Sequence, residues 1–530
     1  MVKLSGRSMI GFHAGTGGGQ PFYATDPRNG QALQPGFLPA TAQEVEVAVR
    51  LAADGFAAYS HTPGRKRGEF LRKIAEKIES IADELIERAG WETALPQARL
   101  QGETARTCDQ LRLFAQVAEE SSWVQAHIDR ADPDRKPTPR PDVRSMLRPL
   151  GPAAIFGASN FPLAFSVAGG DTASALAAGN TVIVKAHAAH PGTSELVGRA
   201  VQEAVRECGL PNGVFSLLFD SGVEIGTALI KHPLLRAGGF TGSRRAGKIL
   251  MDVAAARPHP IPFYAEMSST NPVFILPGAL RERGAIIAAG LHASFTVGAG
   301  QFCTKPGIVF LPQGNAAADF TESLRQLVAA TAPFHLLTSI IGSSYGSAIA
   351  SRKSDPRVKL VAEAPPGPSA TGFSAGSALF ETDAASFLGS ELDGEIFGPT
   401  TLLVHHSTRN QILEIAAALD GHLTATIHGT QQDLFDFAAL IALLENKVGR
   451  LVVNAFPTGV AVCDAMVHGG PFPATSDGRS TSVGTQAIVR FARLICYQGF
   501  PDEALPEELR DANPLGIWRM VNGRMTQERT

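Results

Sequence analysis

The chain has 530 residues and a formal net charge of −3, with 44% hydrophobic and 18% charged residues. This length is too great for one hydrophobic core, so we expect two or more domains. The composition excludes a disordered chain, and the charge balance, with a pI near 6.5, excludes a generally basic surface for nucleic acid. Small molecules are therefore the expected partners.

The cysteines indicate a reducing compartment, because they are odd in number and no two of them form a CxxC pair. They are Cys108, Cys208, Cys303, Cys463 and Cys496. Residues 1–22 contain no unbroken apolar run, and no segment approaches the ~20 apolar residues that a membrane span needs. We therefore expect a cytoplasmic protein that binds neither a membrane nor a metal ion.

The first 130 residues predict edge elements followed by three helices. Residues 1–40 are rich in Gly and Pro, as is typical of loops and edge strands. Thr41 and Glu44 form a capping-box pattern at the start of a helix that ends near Ala58. Apolar residues three and four apart predict further helices over 64–89 and 97–120. The proline-dense segment 132–141 cannot be helical and predicts a linker or a projecting arm.

From Gly151 onward, short buried strands alternate with helices. The strands are predicted at 153–156, 181–185, 214–219, 237–241 and 262–266, and the helices at 165–178, 193–208, 224–232 and 244–256. This alternation predicts a parallel, doubly wound sheet, because each crossover helix must cover a sheet face. Ligands of such sheets bind beyond the carboxyl ends of the strands.

After Pro272 a second α/β domain is expected. Helices are predicted near 280–293 and 316–331, and strands at 400–405 and 451–454. This domain carries Cys303 in the segment GAGQFCTKPG at 298–307. Glycine removes side chains near the sulfur, so a substrate can come close. The pattern favours a nucleophile, with a small buried hydrophobe as the alternative.

Six short segments carry the remaining chemical signal. They are SNFPL at 159–163, VK at 184–185, FTGSRRAG at 240–247, EMSSTNP at 266–272, GQFC at 300–303 and EIFGP at 395–399. Each segment alone is unspecific. All six, in this order and spacing, resemble the motifs of the aldehyde dehydrogenase superfamily.

The resemblance implies a catalytic role for three residues. Cys303 would add as a thiolate to the aldehyde carbon and form a thiohemiacetal. The side-chain amide of Asn160 and the backbone N–H of Cys303 would hold the developing oxyanion. Hydride transfer would leave a thioester, which Glu266 would hydrolyse by activating water. In isolation Asn160 fits a turn residue and Glu266 a surface charge, but the set in register favours catalysis.

The same resemblance implies a nicotinamide cofactor. The cofactor-binding residues would be Lys185, His187, Gly242, Ser243, Gly247, Glu395 and Phe397. The segment 242–247 opens a helix after a strand, so its N–H groups and the helix dipole favour a pyrophosphate. By resemblance, Lys185 would contact the adenosine ribose and Glu395 the nicotinamide ribose.

NADP is the preferred cofactor, and NAD is the alternative. Many NAD-using relatives carry a glutamate three residues after the lysine, where it repels the 2′-phosphate, whereas this chain has Ala188. Lys185 or His187 would assist that phosphate. Val223 stands where some NADP-specific relatives place an arginine beside the adenine, and Asp220 lies nearby.

Further segments point to two branches of the superfamily. They are ETALP at 92–96, RLQGE at 99–103, HPGTSE at 190–195 and VHGGPFPATSD at 467–477. These segments resemble the α-ketoglutaric semialdehyde dehydrogenases and the bacterial NADP-linked fatty aldehyde dehydrogenases. The first branch implies oxidation of α-ketoglutaric semialdehyde to 2-oxoglutarate, and the second implies a long-chain aldehyde as substrate.

The two substrates require different pockets. A distal carboxylate needs a cation, because burying it unpaired is costly. Arg106 or Arg112 is the candidate for that cation, with a plain surface role as the alternative. A long-chain aldehyde would require an apolar tunnel, which Phe161, Phe165 and Phe456 would line.

The expected fold class is α/β, with a parallel Rossmann-like nucleotide-binding sheet, a second α/β catalytic domain and small oligomerisation elements. We assign residues 1–130 and 146–263 to the NAD(P)-binding domain, 264–478 to the catalytic domain, and 131–145 and 479–530 to bridging elements and a tail. Enzymes that this chain resembles pair their subunits through such elements, so a homodimer or homotetramer is expected.

Two rival functions are disfavoured. A non-catalytic binding or structural protein with the same fold has no need of Cys303, Glu266 and Asn160 together. A coenzyme A acylating dehydrogenase would lack a hydrolytic base, which Glu266 supplies.

Overall fold

The computed structural model describes residues 4–367 and 372–530. Residues 1–3 of the predicted N-terminal loops and 368–371 of the predicted second domain lie outside this description. The first sheet has seven strands in the order Phe263–Glu266, Ala237–Thr241, Ala153–Phe156, Val182–Lys185, Phe215–Leu218, Met9–Ile10 and His13–Ala14. The first five are parallel, as predicted, and Met9–Ile10 adds an antiparallel edge.

Eight helices accompany this sheet. They are Ala42–Tyr59, Gly64–Ser80, Ala82–Thr93, Gln97–Glu120, Gly170–Ala178, Pro191–Glu207, Glu224–Lys231 and Arg244–Ala255. The capping box of Thr41 and Glu44 is present, and the predicted helix over 97–120 is confirmed. The single helix predicted over 64–89 is wrong, because the backbone leaves helical geometry at Ile81 (φ −114°, ψ 15°) and two helices result.

The helix predicted over 165–178 begins only at Gly170. The backbone N–H groups of Leu163 and Ala164 donate to the carboxylate of Glu103, at 3.0 Å each. Residues 162–168 therefore form turns that the side chain of Glu103 holds in place, and they are not the first turn of the helix.

The second sheet also has seven strands, in the order Lys359–Glu363, Ala378–Asp383, Thr400–His406, Ile308–Pro312, Val273–Ile275, His422–His428 and Val448–Val453. All neighbours are parallel except the edge strand Lys359–Glu363, which is antiparallel. Its helices are Pro277–Thr296, Asn315–Ala329, Ser339–Ser354, Ala384–Phe387, Arg409–Ala418, Gln431–Asp436 and Ala438–Leu444. A second α/β unit therefore follows the first along the chain, and it contains Cys303.

A third sheet joins distant parts of the chain. Its five strands lie in the order Ala492–Gln498, Val143–Pro149, His127–Asp129, Arg519–Val521 and Arg524–Thr526. Ala492–Gln498 is an edge strand with an exposed Leu494. There are also two sheets of two antiparallel strands each. One pairs Phe22–Thr25 with Ala32–Phe37, and the other pairs Phe334–His335 with Ser374–Ala375. No helix in the described part of the chain is long and apolar enough to cross a bilayer.

A long loop between strands Val448–Val453 and Ala492–Gln498 reaches back to the edge of the first sheet. Glu266 forms an isolated antiparallel bridge with Thr475, and the N–H of Met267 donates to the carbonyl of Ala474 at 2.7 Å. This contact places residues 466–484 directly beside the end of the strand that carries Glu266.

Candidate active site

Cys303 lies in the loop between helix Pro277–Thr296 and strand Ile308–Pro312. Gly298, Ala299 and Gly300 precede it, and all three have positive φ, of 58°, 60° and 67°. A Cβ at Gly300 would lie 2.3 Å from the carbonyl oxygen of Gly398. Glycine is therefore required at position 300, because the cysteine loop packs against the backbone after Glu395.

Two asparagines hold the cysteine loop in place. The buried Asn271 donates through Nδ2 to the carbonyls of Cys303 at 2.8 Å and Lys305 at 3.0 Å. Asn160 donates through Nδ2 to the carbonyl of Gln301 at 2.9 Å. An amide nitrogen carries two hydrogens, so Asn160 keeps one donor for an oxyanion near Cys303. The structure therefore brings Asn160 to the cysteine loop.

A histidine lies between the cysteine and the glutamate. His468 Nε2 is 3.4 Å from Cys303 Sγ and 2.9 Å from Glu266 Oε1. His468 and Glu266 are 1% and 4% exposed. Ser482 Oγ lies 2.8 Å from Glu266 Oε2 and 3.0 Å from the carbonyl oxygen of His468, so its one hydrogen is shared between these two acceptors. Thiol, imidazole and carboxylate therefore form one oriented group, and the serine fixes two of its members.

The electrostatics of this group oppose a free thiolate. Burial, together with the charge of Glu266, raises the pKa of Cys303 well above the usual value for a thiol. Burial alone would also raise the pKa of Glu266, but the charge and hydrogen bond of His468, with the hydroxyl of Ser482, outweigh it and lower that pKa. The resting site therefore holds a protonated thiol beside an ionised carboxylate.

The helix start at residues 242–247 is open to solvent, as a pyrophosphate site requires. Gly242 and Ser243 are exposed, and Ser243 caps helix Arg244–Ala255 by accepting from the N–H of Ala246 at 3.3 Å. Gly247 is buried, and a Cβ there would lie 2.8 Å from Met267. An exposed helix N-terminus next to Glu266 fits a dinucleotide phosphate.

Lys185 lies at the carboxyl end of its strand, where it donates to the carbonyl of Asp220 at 2.8 Å. Burial lowers the pKa of Lys185, and Asp220 opposes this shift. Asp220 Oδ2 is buried without a hydrogen-bond partner among the described residues. A lysine donor and a free carboxylate oxygen side by side fit the hydroxyls of an adenosine ribose.

His187 follows the same strand as Lys185, two residues beyond its end. Its Nδ1 accepts from the N–H of Ala189 at 3.1 Å, and its ring stacks on His190 at 5.5 Å. Burial, with the charges of His190 and Lys185, holds the pKa of His187 well below the usual value. The ring is therefore neutral and brings no positive charge to a 2′-phosphate.

Glu395 and Phe397 lie in the loop before strand Thr400–His406, and both are half-buried. Lys305, which is 1% exposed, donates through Nζ to the carbonyls of Ile396 at 2.8 Å and Thr400 at 3.0 Å. Burial raises the pKa of Glu395, while Ser268 and Lys305 oppose this shift. Lys305 therefore ties the loop of Glu395 to the cysteine segment.

A cavity of about 320 Å³ opens on Cys303. Its side chains include Phe161, Phe165, Phe302, Arg99, Glu103, Arg106 and Thr458. The structure thus gathers three predicted substrate residues at the sulfur, namely Phe161, Phe165 and Arg106.

Two other predicted substrate residues lie elsewhere. Arg112 forms a forked ion pair with Glu79, at 2.7 and 2.8 Å, on the protein surface. Phe456 packs its ring on His428 at 4.7 Å and against the backbone of Gly290. Arg112 points outward because the helix turns between positions 106 and 112, and Phe456 belongs to the core of the second sheet.

The motifs did not assign roles to His468, Ser482, Asn271 or Arg99. His468 and Arg99 do stand in segments that resemble one branch of the superfamily, 467–477 and 99–103. These segments therefore indicate a branch of the superfamily but assign no chemical role to His468 or Arg99. The contacts in the structure are needed to assign one.

Known proteins resemble this chain over most of its length. The model described as the aldehyde dehydrogenase family matches residues 16–365. The chain is 49% identical over 526 residues to alpha-ketoglutaric semialdehyde dehydrogenase 2 of Azospirillum brasilense, with 99% of this chain and 100% of that protein covered. It is 46% identical over 495 residues to alpha-ketoglutaric semialdehyde dehydrogenase of Acinetobacter baylyi, with 93% of each covered.

The fold is similar to that of a solved NAD⁺ complex of an aldehyde dehydrogenase from Bacillus cereus. The TM-score is 0.79 at 19% identity, over 93% of this chain and 96% of that chain. This likeness confirms the predicted α/β fold class. The resemblance inferred from six short motifs is confirmed as well, by the family model and by the two relatives. The chain belongs to the aldehyde dehydrogenase family, whose members oxidise aldehydes to carboxylic acids.

Proposed function

We propose that this enzyme oxidises α-ketoglutaric semialdehyde to 2-oxoglutarate, with NADP in preference to NAD, through a covalent intermediate on Cys303. The observation that carries the proposal is the contact of His468 Nε2 with both Cys303 Sγ, at 3.4 Å, and Glu266 Oε1, at 2.9 Å, beside a cavity lined by Arg106. The names of the two relatives that are 49% and 46% identical support the choice of substrate.

In the first step, the thiol of Cys303 is activated by Glu266. Because burial keeps the thiol protonated, a base must accept its proton as the sulfur attacks the aldehyde carbon. The carboxylate of Glu266, whose oxygen lies within 4.8 Å of the sulfur, is placed to accept that proton, and the Nε2–H of His468 donates to the carboxylate and holds it in position. The attack forms a carbon–sulfur bond and leaves negative charge on the former carbonyl oxygen.

In the second step, Asn160 stabilises that oxygen, together with the backbone N–H of Cys303. The nicotinamide ring, when bound, accepts a hydride from the substrate carbon. Loss of the hydride converts the thiohemiacetal on Cys303 into a thioester. Lys305 holds the loop of Glu395 against the cysteine segment, so the cofactor residues and the nucleophile keep a fixed relation.

In the third step, Glu266 acts as the base that removes a proton from water. Its lowered pKa keeps the carboxylate ionised at neutral pH, which the step requires. Glu266 first loses the thiol proton to solvent, so that it can accept a proton from water. Water adds to the thioester carbon, the carbon–sulfur bond breaks, and the proton that Glu266 took from water is transferred to the leaving thiolate of Cys303. The free acid leaves.

Arg106 is the proposed anchor for the distal carboxylate of the substrate. It lines the cavity at Cys303, and its Nη1 donates to the carbonyl of Val460. Arg112 is set aside, because its guanidinium is already paired with Glu79. The aromatic lining of the same cavity keeps a long-chain aldehyde as the second candidate substrate.

The preference for NADP rests on Ala188, which places no carboxylate where it would repel a 2′-phosphate. Lys185 supplies the nearby cation. The carboxylate of Asp220 opposes the preference, so Asp220→Asn should raise kcat/KM for NADP relative to NAD.

We further propose the division of the chain stated above, at residues 131, 146, 264 and 479, and assembly into a homodimer or homotetramer in the cytoplasm. The exposed edge strand Ala492–Gln498 supports assembly, because an unpaired edge favours association with another strand. Light scattering after size exclusion measures the assembly, and a monomer would exclude it.

The test of function is a panel of aldehydes with NAD and NADP, measured as reduced cofactor formed by the purified enzyme. We expect the highest kcat/KM for α-ketoglutaric semialdehyde with NADP, and no turnover by Cys303→Ser, which should still bind the cofactor. A higher kcat/KM for a long-chain aldehyde would contradict the proposed substrate. Turnover by Cys303→Ser would place the nucleophile elsewhere.

A further inference from the structure

We propose that Arg99 joins Arg106 to form a two-arginine subsite for the carboxylate end of the substrate, and that Arg99 is a specificity-determining residue. This inference rests on the proposed oxidation of a carboxylate-bearing aldehyde at Cys303. It names a second residue that would select this substrate over an uncharged aldehyde.

Helix Gln97–Glu120 presents both arginines to the same cavity. Positions 99 and 106 are seven residues apart, which is close to two helical turns, so their side chains share one face. Both line the cavity of about 320 Å³ that contains Cys303. Arg112 lies further along the helix, does not line this cavity and pairs with Glu79. Two cations therefore face the volume in which the substrate reacts.

The two guanidinium groups retain unused donors. Nε and Nη2 of Arg99, and Nε and Nη2 of Arg106, are buried without a hydrogen-bond partner among the described residues. A buried donor that is left unpaired destabilises the protein. A carboxylate offers about four lone-pair positions, so one carboxylate is able to satisfy these donors. The hydrocarbon end of a fatty aldehyde offers none.

Glu103 orients Arg99 but leaves other N–H donors of its guanidinium group available. Its Oε2 accepts from Arg99 Nη1 at 2.6 Å, and its Oε1 accepts from the N–H groups of Leu163 and Ala164 at 3.0 Å each. Both carboxylate oxygens of Glu103 thus have partners, and the residue is 1% exposed. Two cations and one anion leave a net charge of +1 at this end of the cavity, which matches a monocarboxylate.

Aromatic rings support the guanidinium faces. Arg99 Cζ lies 4.6 Å from the ring centre of Phe161 and 5.2 Å from that of Phe302, and Arg106 Cζ lies 5.5 Å from that of Phe165. Rings that cover a guanidinium face leave its N–H edge available. Phe161 and Phe165, two of the residues that predicted an apolar tunnel, therefore also position two cations for an anion.

The test compares α-ketoglutaric semialdehyde with pentanal, an uncharged aldehyde of the same chain length. Arg99→Met should lower kcat/KM for the acid by about 10- to 100-fold, the effect of losing a hydrogen bond to a charged group. The value for pentanal should change less than about threefold. Arg99→Lys keeps the charge beside Glu103 and should recover part of the loss. Arg65→Met, at an exposed arginine on helix Gly64–Ser80, is the matched control and should change neither value.

Inhibition by 2-oxoglutarate gives a readout that does not depend on turnover of the acid aldehyde. With pentanal as substrate, Arg99→Met should raise the inhibition constant of 2-oxoglutarate by a similar factor. Equal losses for both aldehydes, or an unchanged inhibition constant, would overturn the inference and leave Arg99 a structural partner of Glu103. If the wild-type enzyme oxidised pentanal but not α-ketoglutaric semialdehyde, the proposed function itself would fail, before any variant was made.

Discussion

His468 Nε2 lies 2.9 Å from Glu266 Oε1, and both side chains are almost completely buried, although the two residues are 202 positions apart in sequence. The same nitrogen is 3.4 Å from Cys303 Sγ. One imidazole nitrogen therefore contacts both the residue that attacks the aldehyde and the residue that releases the acid. The two half-reactions share one proton-accepting group, the carboxylate of Glu266, which His468 holds in place.

His468→Leu should slow the first half-reaction at neutral pH. Leucine cannot donate to Glu266, so the carboxylate that accepts the thiol proton loses a hydrogen bond that lowers its pKa. Alkylation of Cys303 by iodoacetamide should fall by about 10-fold near pH 7 and recover as pH rises through the raised pKa of Glu266. Peptide mapping separates Cys303 from the exposed Cys463 and Cys496. An unchanged pH profile would remove His468 from thiol activation.

Glu266→Gln should block the second half-reaction. The amide cannot accept a proton from water, so one equivalent of reduced cofactor should appear in a burst, and the acyl-enzyme should accumulate. Rapid-mixing absorbance measures the burst of reduced cofactor, and intact-protein mass spectrometry measures the acyl-enzyme. In the wild type, the lowered pKa of Glu266 keeps the base ionised as pH falls toward the ordinary range of carboxylates, so hydrolysis should fail only below that range. Unchanged steady-state turnover in the variant would refute the role.

Arg106→Met and Arg112→Met should differ in their effect on KM, because only Arg106 lines the cavity at Cys303. Arg106→Met should raise KM for α-ketoglutaric semialdehyde by about 10-fold or more, from loss of a charged hydrogen bond. Arg112→Met removes a surface pair with Glu79, worth about 0 to 1 kcal/mol, and should leave KM unchanged. Steady-state kinetics decide, and equal effects would contradict the assignment.

Much of the first sheet was predictable, because its central strands are buried on both faces and are mostly apolar. The second sheet was less so. Strand His422–His428 carries two histidines and two threonines, all buried, and this polar content concealed it. Strands Val273–Ile275, Ile308–Pro312 and Ala378–Asp383 were also missed. Short apolar runs are ambiguous until their neighbours are known.

The functional site, like the fold, was predictable only in part. Cys303, Glu266 and Asn160 stand in recognisable motifs, and the structure gathers Cys303 and Glu266 around His468. His468 acquires its position only from the bridge between Glu266 and Thr475, which joins distant segments. No local sequence pattern predicts a contact between segments that are so far apart in the chain. Arg112 and Phe456 illustrate the converse error, in which a suitable side chain near the motif faces a different partner.

Glu92 ties two helices together and gives a prediction about stability rather than chemistry. It is fully buried, and Oε1 accepts from Arg88 at 2.8 and 3.0 Å and from the N–H of Gly192 at 2.8 Å. Oε2 accepts from the N–H and the hydroxyl of Thr193, at 2.8 and 2.7 Å. The carboxylate thus joins helix Ala82–Thr93 to the N-terminus of helix Pro191–Glu207, where a negative charge is favourable.

Glu92→Gln should lower the free energy of unfolding by about 2 to 4 kcal/mol, because Arg88 loses its counter-charge and an amide N–H₂ replaces an acceptor beside backbone donors. The apparent melting temperature at fixed scan rate should fall by several degrees. Glu87→Gln, at an exposed position of the same helix, is the matched control, with an expected change within about 0.5 kcal/mol. Equal shifts for both variants would mean that the buried carboxylate adds nothing beyond helix propensity.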